Sequence, residues 1–119
     1  MALVLITDDA AFTRRMIRKA FKDTEHVVLE ASNGKECLEM LDTHSPDCLI
    51  LDLLMPELDG FGVLEALKQQ GSKIPVIVLS ADIQDSVRQQ CLDLGAAMML
   101  KKPPKGPQIL EAIEQVLNN

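Results

Sequence analysis

The sequence has no tryptophan and no tyrosine, and its three cysteines stand far apart. Cys37, Cys48 and Cys91 form no C-x-x-C pair, which argues against a disulfide framework or a zinc site and favours a reducing compartment. No apolar run approaches the ~20 residues that a membrane span needs. The apolar start, Met1 to Ile6, lacks the basic region of a signal peptide. We therefore expect a soluble, cytoplasmic protein that makes no membrane contact.

Positive charge is also in short supply. Twelve Lys and Arg against eighteen Asp and Glu give a formal net charge of −6. A protein of this sign repels phosphate backbones and anionic lipids, so direct nucleic-acid binding is not expected. The 119 residues, 47% of them hydrophobic, are enough for one compact core. We predict a single domain spanning residues 1–119.

Five short apolar runs alternate with longer segments of helical periodicity. The runs are Leu3–Ile6, Val27–Leu29, Cys48–Leu51, Val76–Leu79 and Met98–Leu100. They are apolar at almost every position, which is typical of parallel strands covered on both faces. Because no link between them has the length of a hairpin, consecutive strands must pair in parallel through right-handed crossovers.

The intervening segments place apolar residues on one side of a helix. The predicted helices span about Ala11–Lys22, follow Ser32-Asn33-Gly34, follow Asp59-Gly60, open at Ser80–Asp82, and run on from Gln108. Gly71 and Gly95 are the expected ends of the third and fourth helices. The prediction is an α/β fold of the flavodoxin-like, doubly wound type, with a five-stranded parallel sheet and five helices.

Polar residues that could take part in binding or catalysis follow four of the five strands. Asp8-Asp9, Asp52, Ser80 and Lys102 stand at the carboxyl ends of strands 1, 3, 4 and 5. With the strand order 2-1-3-4-5, strands 1 and 3 flank the point where the order reverses, so these side chains would converge. Crowded carboxylates repel one another unless a cation binds, and an all-oxygen set suits Mg²⁺ or Mn²⁺. For Asp8-Asp9 alone, a helix N-terminal cap is an alternative interpretation.

Taken together, these motifs resemble the CheY-like receiver domain of bacterial two-component response regulators. The resemblance covers nearly the whole chain. The matching stretches are Asp8-Asp9, Ile50-Leu51-Asp52-Leu53, Met55-Pro56-Glu57-Leu58-Asp59-Gly60, Leu79-Ser80-Ala81, Gly95-Ala96 and Lys102-Pro103.

The resemblance implies that Asp52 accepts a phosphoryl group from a sensor histidine kinase or phosphotransfer protein, with bound Mg²⁺ for which Mn²⁺ can substitute. By position, Asp9 is a direct metal ligand, Asp8 holds metal-bound water, and the backbone carbonyl of Leu54 supplies a further ligand beside Asp52. The signal would then pass to a downstream protein target through protein–protein contacts.

The resemblance also assigns the rest of the phosphoryl site. Lys102 would pair with the phosphoryl oxygens, and Ser80 would hydrogen-bond them. Pro103 would follow a cis peptide bond, as the family commonly has, with a trans proline in an ordinary turn as the alternative. Carboxylates are known nucleophiles in phosphoryl transfer, and a lysine and a hydroxyl can bind the equatorial oxygens of the transferring group. The protein would not be a classical enzyme, since it would catalyse only its own phosphorylation and dephosphorylation.

One departure from the family pattern keeps a second function open. Met99 stands at or next to the position where the family usually carries Tyr or Phe, so the usual movement of an aromatic ring cannot operate. A receiver fold that binds partners without phosphorylation is therefore the alternative. A flavin-binding protein is a third class. Against it, strand 1 ends in acids, and neither G-x-G-x-x-G nor the P-loop motif occurs.

The first helix carries a basic cluster, Arg14, Arg15, Arg18 and Lys19. A solvated helix face is the default interpretation. The resemblance offers another, a docking surface for the phosphohistidine domain of the kinase. Neighbouring Lys101 and Lys102 point to opposite faces of a strand, so Lys101 is expected to be solvated.

Overall fold

The computed structural model describes residues 1–118 and is built around a five-stranded parallel sheet. The strands are β1 (Leu3–Thr7), β2 (Val27–Ala31), β3 (Cys48–Asp52), β4 (Val76–Ser80) and β5 (Met98–Lys101). The helices are α1 (Ala11–Lys19), α2 (Gly34–His44), α3 (Gly60–Gln69), α4 (Asp85–Asp93) and α5 (Gly106–Leu117). Among these residues no helix combines the length and the apolar character that crossing a membrane requires.

The strand order is β2-β1-β3-β4-β5, with every neighbouring pair parallel, so the predicted fold and order are confirmed. The pairing register brings the carboxyl ends to one edge of the sheet. Thr7 lies level with Ala31 and Leu51, and Ser80 lies level with Lys101. Residues that follow the strands therefore share one edge.

Two apolar clusters cover the two faces of the sheet. On one face α2, α3 and α4 pack with side chains such as Cys37, Leu64 and Cys91, and on the other α1 and α5 pack with Ile17 and Ile113. Strands β3 and β4 are buried at every residue. The edge strands β2 and β5 are only partly buried, contrary to the prediction that all strands are covered on both faces. The reason is that an edge strand lacks a neighbour on one side.

Two helices begin as the sequence predicted, at residues whose side chains cap them. Asn33 accepts a hydrogen bond from the backbone N–H of Glu36, and Asp59 accepts one from that of Gly62. Gly60 is needed for close packing, and its φ is not positive. A Cβ there would lie 2.6 Å from the carbonyl oxygen of Asp52. Gly71 and Gly95 do have positive φ, as befits helix ends.

Other helix boundaries differ from the prediction. Helix α1 ends at Lys19 instead of Lys22, because the N–H groups of Ala20 and Phe21 bond to carbonyls three residues back and tighten the last turn. Helix α4 begins at Asp85, several residues after Ser80, and α5 begins at Gly106. The late start of α4 leaves a loop directly beside the carboxyl ends of β3 and β4.

Candidate functional site

The buried polar residues of the described chain lie together at one edge of the sheet. They are Thr7, Asp8, Asp52 and Ser80, at or just beyond the ends of the three central strands. Asp8 is fully buried and Asp52 is 3% exposed. Burying a carboxylate is costly unless a counter-charge accompanies it, so this edge needs a cation.

Lys102 supplies part of that positive charge. Its Nζ lies 2.8 Å from Asp8 Oδ2 and 3.0 Å from Asp52 Oδ1. The backbone N–H of Lys102 donates to the carbonyl oxygen of Ser80 at 2.9 Å, which holds the end of β5 against the end of β4. The peptide bond from Lys102 to Pro103 is cis, as the resemblance implied. The structure thus brings the predicted lysine onto both buried carboxylates.

The titration of Asp52 and Lys102 reflects this crowding. Burial raises the pKa of Asp52, and the charges of Asp8 and Asp9 add to that rise, while Lys102 opposes it without cancelling it. Burial pushes the pKa of Lys102 down, but its close contacts with the carboxylates of Asp8 and Asp52 outweigh this, so the pKa stands above its ordinary value. Lys102 therefore stays charged at neutral pH, and ionised Asp52 is under electrostatic strain.

Three carboxylates in the site could hold a metal ion. Asp8, Asp9 and Asp52 each offer one oxygen, and these oxygens all lie within 4.8 Å of one another. Asp8 Oδ2 is buried and makes no hydrogen bond of good geometry, although Lys102 is its ion-pair partner. Three ionised carboxylates and one lysine leave two negative charges uncompensated. A small divalent cation with oxygen preference, such as Mg²⁺, fits this donor set.

Two predicted site residues contribute less directly. Leu54 lies in the loop after β3 with its side chain exposed, and the role of its carbonyl stays a prediction. The Ser80 hydroxyl donates to the carbonyl oxygen of Asp82 at 2.8 Å and accepts from the Asp82 N–H at 3.1 Å. Ser80 therefore lies at the expected edge of the sheet, but its hydroxyl is hydrogen-bonded to the loop before α4.

The N-terminal cap interpretation of Asp8-Asp9 is wrong. The N-cap residue of α1 is Ala10, no side chain caps the helix, and its first turn contains no acid. Asp8 Oδ1 instead accepts a hydrogen bond of 2.9 Å from the N–H of Ala10, two residues on, within the turn before the helix. The other oxygen of the same carboxylate faces Lys102.

The basic cluster of α1 is not simply a solvated face. Arg15 and Lys19 are exposed. Arg14 and Arg18 instead bind the carboxylate of Glu30 in β2, at 3.0 and 2.7 Å. Sequence reasoning missed Glu30, although one acid in an otherwise apolar strand was a usable signal. Burial pushes the pKa of Glu30 up, but hydrogen bonds from Arg18 and Arg14 outweigh it and hold the pKa below its ordinary value.

The remaining sequence expectations concern the surroundings of the site. Lys101 is exposed, as expected, and Met99 is buried in the face of the core that α2, α3 and α4 cover.

All three cysteines are free and buried. Burial raises the pKa of the Cys48 thiol to about 12 and that of Cys37 to about 11, so these thiols are unreactive core residues.

Comparisons with known proteins agree with this geometry. The model of the family "Response regulator receiver domain" matches residues 4–114. The chain is 40% identical over 116 residues to the chemotaxis protein CheY of Bacillus subtilis (strain 168), covering 97% of each chain. It is 40% identical over 104 residues to a protein-glutamate methylesterase/protein-glutamine glutaminase of Treponema denticola, covering 84% of this chain and 28% of that protein.

Solved structures show the same fold. The receiver domain of the Francisella response regulator 1452 superposes with a TM-score of 0.94 at 28% identity, covering 99% of this chain and 98% of that one. Vibrio cholerae chemotaxis protein CheY4 superposes with a TM-score of 0.91 at 28% identity, covering 98% and 99%.

Proposed function

The chain belongs to the response regulator receiver domain family, and on that premise we propose that Asp52 accepts a phosphoryl group in a Mg²⁺-dependent reaction. The observation that carries the proposal is the contact of one lysine with two buried carboxylates, beside a third, at the carboxyl edge of the sheet. A fold needs no such arrangement for stability, since burying these charges costs free energy.

Asp52 is the nucleophile of the proposed reaction. Its carboxylate oxygen forms a bond to phosphorus, while the bond from phosphorus to a phosphohistidine nitrogen of the donor, or to the oxygen of a small acyl phosphate, breaks. Lys102 lies 3.0 Å from Asp52 Oδ1, so its ammonium is placed to neutralise oxygens of the transferred group. The acyl phosphate that forms carries about −2, more than the carboxylate it replaces, so the reaction depends on Lys102 and bound Mg²⁺ to offset the added charge on the phosphoryl oxygens.

The metal would be held by Asp8, Asp9 and Asp52, with the carbonyl of Leu54 as a further ligand. Bound Mg²⁺ supplies positive charge that offsets the charge of the transferring phosphoryl group. Asp8 is buried and Asp9 is exposed, so the donor set opens towards solvent on the side of Asp9. Metal and phosphodonor can therefore enter from the same side.

Ser80 acquires its role only after a change of hydrogen bonds. Its hydroxyl now donates to the Asp82 carbonyl, and we propose that it turns to a phosphoryl oxygen once Asp52 is modified. The residues released by that turn belong to the exposed loop before α4. Phosphorylation would thereby be reported on the surface around α4.

The partners of the proposed reaction are proteins. The phosphodonor is a sensor histidine kinase or a phosphotransfer protein, and the output is contact with a downstream protein target. The net charge of −6 disfavours direct binding to nucleic acid. Three free, buried cysteines suit a reducing compartment, and we place the protein in the cytoplasm.

Mass spectrometry after treatment with acetyl phosphate and Mg²⁺ tests the proposal. The wild-type chain should gain one phosphoryl group per molecule, and Asp52→Asn should gain none, because an amide oxygen is a poor nucleophile. Removal of Mg²⁺ with a chelator should also abolish labelling.

Asp42→Asn is the matched control. Asp42 is an exposed aspartate near the end of α2, ahead of the start of β3, whereas Asp52 lies at the other end of that strand, so its variant should be labelled like the wild type. Equal labelling of Asp52→Asn and the wild type would refute the proposal.

The buried Met99 favours a second candidate, a receiver fold that binds its partner without phosphorylation. At this position no aromatic ring is available to report the state of the site. Melting temperature separates the two candidates. A cation that binds only the folded chain raises it, so a rise with millimolar Mg²⁺ that Asp52→Asn weakens supports the phosphorylated receiver. No response to Mg²⁺ supports the second candidate.

A further inference from the structure

Two arginines of α1 hold the same glutamate of β2. Arg14 and Arg18 stand one helical turn apart, which places them on one face of the helix. Arg14 Nε donates to Glu30 Oε1 at 3.0 Å, and Arg18 Nε donates to Glu30 Oε2 at 2.7 Å. Each carboxylate oxygen thus has its own guanidinium partner, and the helix is tied to the edge strand.

The second contacts of the two arginines differ. Arg14 Nη1 donates to the backbone carbonyl oxygen of Asp8 at 2.7 Å, and Arg18 Nη2 donates to that of Val28 at 3.3 Å. The Arg14 side chain is 17% exposed, against 49% for Arg18. Arg14 is therefore the one that connects Glu30 to the acidic pair of the site.

The carbonyl that Arg14 binds belongs to the peptide between Asp8 and Asp9. A peptide unit is planar, so fixing its oxygen restricts the orientation of the whole plane and of the Asp9 backbone. The same segment is held on its other sides, since the Asp8 N–H donates to the Ala31 carbonyl at 3.2 Å and the Ala10 N–H donates to Asp8 Oδ1. The bond from Arg14 completes the contacts that hold this segment, whose next side chain, Asp9, is itself exposed.

We propose that Arg14, oriented by Glu30, is a positioning residue for the cation site: by holding the Asp8–Asp9 peptide it keeps the Asp9 carboxylate within reach of an ion shared with Asp8 and Asp52. This inference rests on the proposed function, because it requires that a divalent cation binds there. Glu30 has a second effect, since it neutralises the guanidinium that would otherwise repel the cation.

Electrostatics and positioning predict opposite outcomes for Arg14→Ala. Removal of a positive charge beside three carboxylates should by itself tighten Mg²⁺ binding. Loss of the bond to the Asp8 carbonyl should weaken it, because outer contacts that orient metal ligands commonly contribute 10-fold or more to metal affinity. The sign of the change therefore identifies the role of Arg14.

Arg18→Ala is the matched control. It removes the same charge and a bond to the same glutamate, but it leaves the Asp8 carbonyl bound. Isothermal titration calorimetry of the metal-free full chain with MgCl₂ measures the affinity, and melting without metal measures general stability. We expect binding about 10-fold weaker for Arg14→Ala, within about 2-fold of wild type for Arg18→Ala, and intermediate for Arg14→Lys, which keeps a donor but not the fork.

Binding by Arg14→Ala as tight as the wild type, or equal weakening in Arg14→Ala and Arg18→Ala, would overturn the inference. If Arg14→Ala does not fold, Arg14→Lys decides by the same comparison with Arg18→Ala. A wild-type chain that binds no Mg²⁺ would refute the proposed function as well. Normal wild-type binding with no effect of Arg14 refutes only the positioning role.

Discussion

The two ends of the same strands are built from opposite kinds of residue. Strand β3 begins with Cys48 and Leu49 and ends with Asp52, and all five of its residues are buried. The apolar part of the strand stabilises the fold by roughly 25 cal/mol for each Å² removed from water. The carboxyl end buries an ionisable group whose desolvation costs free energy. Burial therefore has opposite energetic consequences three residues apart.

This contrast shows how a small domain separates stability from chemistry. The apolar middle of the sheet keeps the strand ends in register, and the register brings Asp8, Asp52 and Lys102 together. The excess of negative charge at that edge suits it to a divalent cation, whose charge would add to that of Lys102. Three substitutions test the contrast, in descending order of expected effect.

The largest effect is expected at the apolar end. Leu49→Ala should lower the free energy of unfolding by about 3 kcal/mol, since truncation of a fully buried leucine leaves a cavity. Urea denaturation followed by circular dichroism measures the change. A loss below about 1 kcal/mol would mean that neighbouring side chains fill the space left by the truncated leucine. The apolar end of β3 would then contribute less to stability than its burial indicates.

A smaller loss is expected when the counter-charge of the site is removed. Lys102→Ala should lower stability at neutral pH by about 2 kcal/mol, because it leaves Asp8 and Asp52 without their ion-pair partner. The half-buried position of Lys102 keeps this below the cost of a fully buried pair. Added Mg²⁺ should restore part of the loss.

The control is Lys101→Ala, which changes the neighbouring exposed lysine at the end of β5. Its effect should stay within about 0.5 kcal/mol, as for most surface substitutions. Equal losses for the two lysines would show that the site does not depend on this particular charge.

The smallest effect is expected at Asp52, with the sign reversed. Asp52→Asn should raise stability without metal by about 1 kcal/mol near neutral pH, the usual scale for relief of an electrostatically strained functional site. Because the pKa of Asp52 is higher in the folded chain than its ordinary value of 3.8, ionisation disfavours the folded state.

The pH dependence of that gain follows from the direction of the shift. The gain should be complete above the folded-state pKa of Asp52 and disappear as the pH falls through that pKa towards 3.8. Denaturation of the wild type and Asp52→Asn at several pH values measures the difference. A gain that is constant with pH, or a loss of stability, would contradict the electrostatic contrast between the two strand ends.

Sequence reasoning reached the site through the strands. Apolar runs located β1, β3 and β4, and the polar residues at or just beyond the end of each strand identified Asp8, Asp52 and Ser80. It did not predict which partner a polar side chain binds when several lie within reach. The hydroxyl of Ser80 bonds to Asp82 in the loop before α4, and Arg14 and Arg18 both bind Glu30, although Arg18 is still half-exposed. Sequence periodicity does not predict these contacts, because they depend on distances between side chains of different helices, strands and loops.

The order of polar and apolar residues was enough by itself to establish the α/β class, the parallel sheet and the edge that carries the acids, because local periodicity and short connections leave few ways to arrange five βα units. Only the tertiary structure decided that one lysine contacts two carboxylates, that edge strands are half-exposed, and that Arg14 reaches the Asp8 carbonyl. These contacts join residues far apart in sequence, and their energies depend on burial and on distances of about 3 Å, which no local pattern encodes.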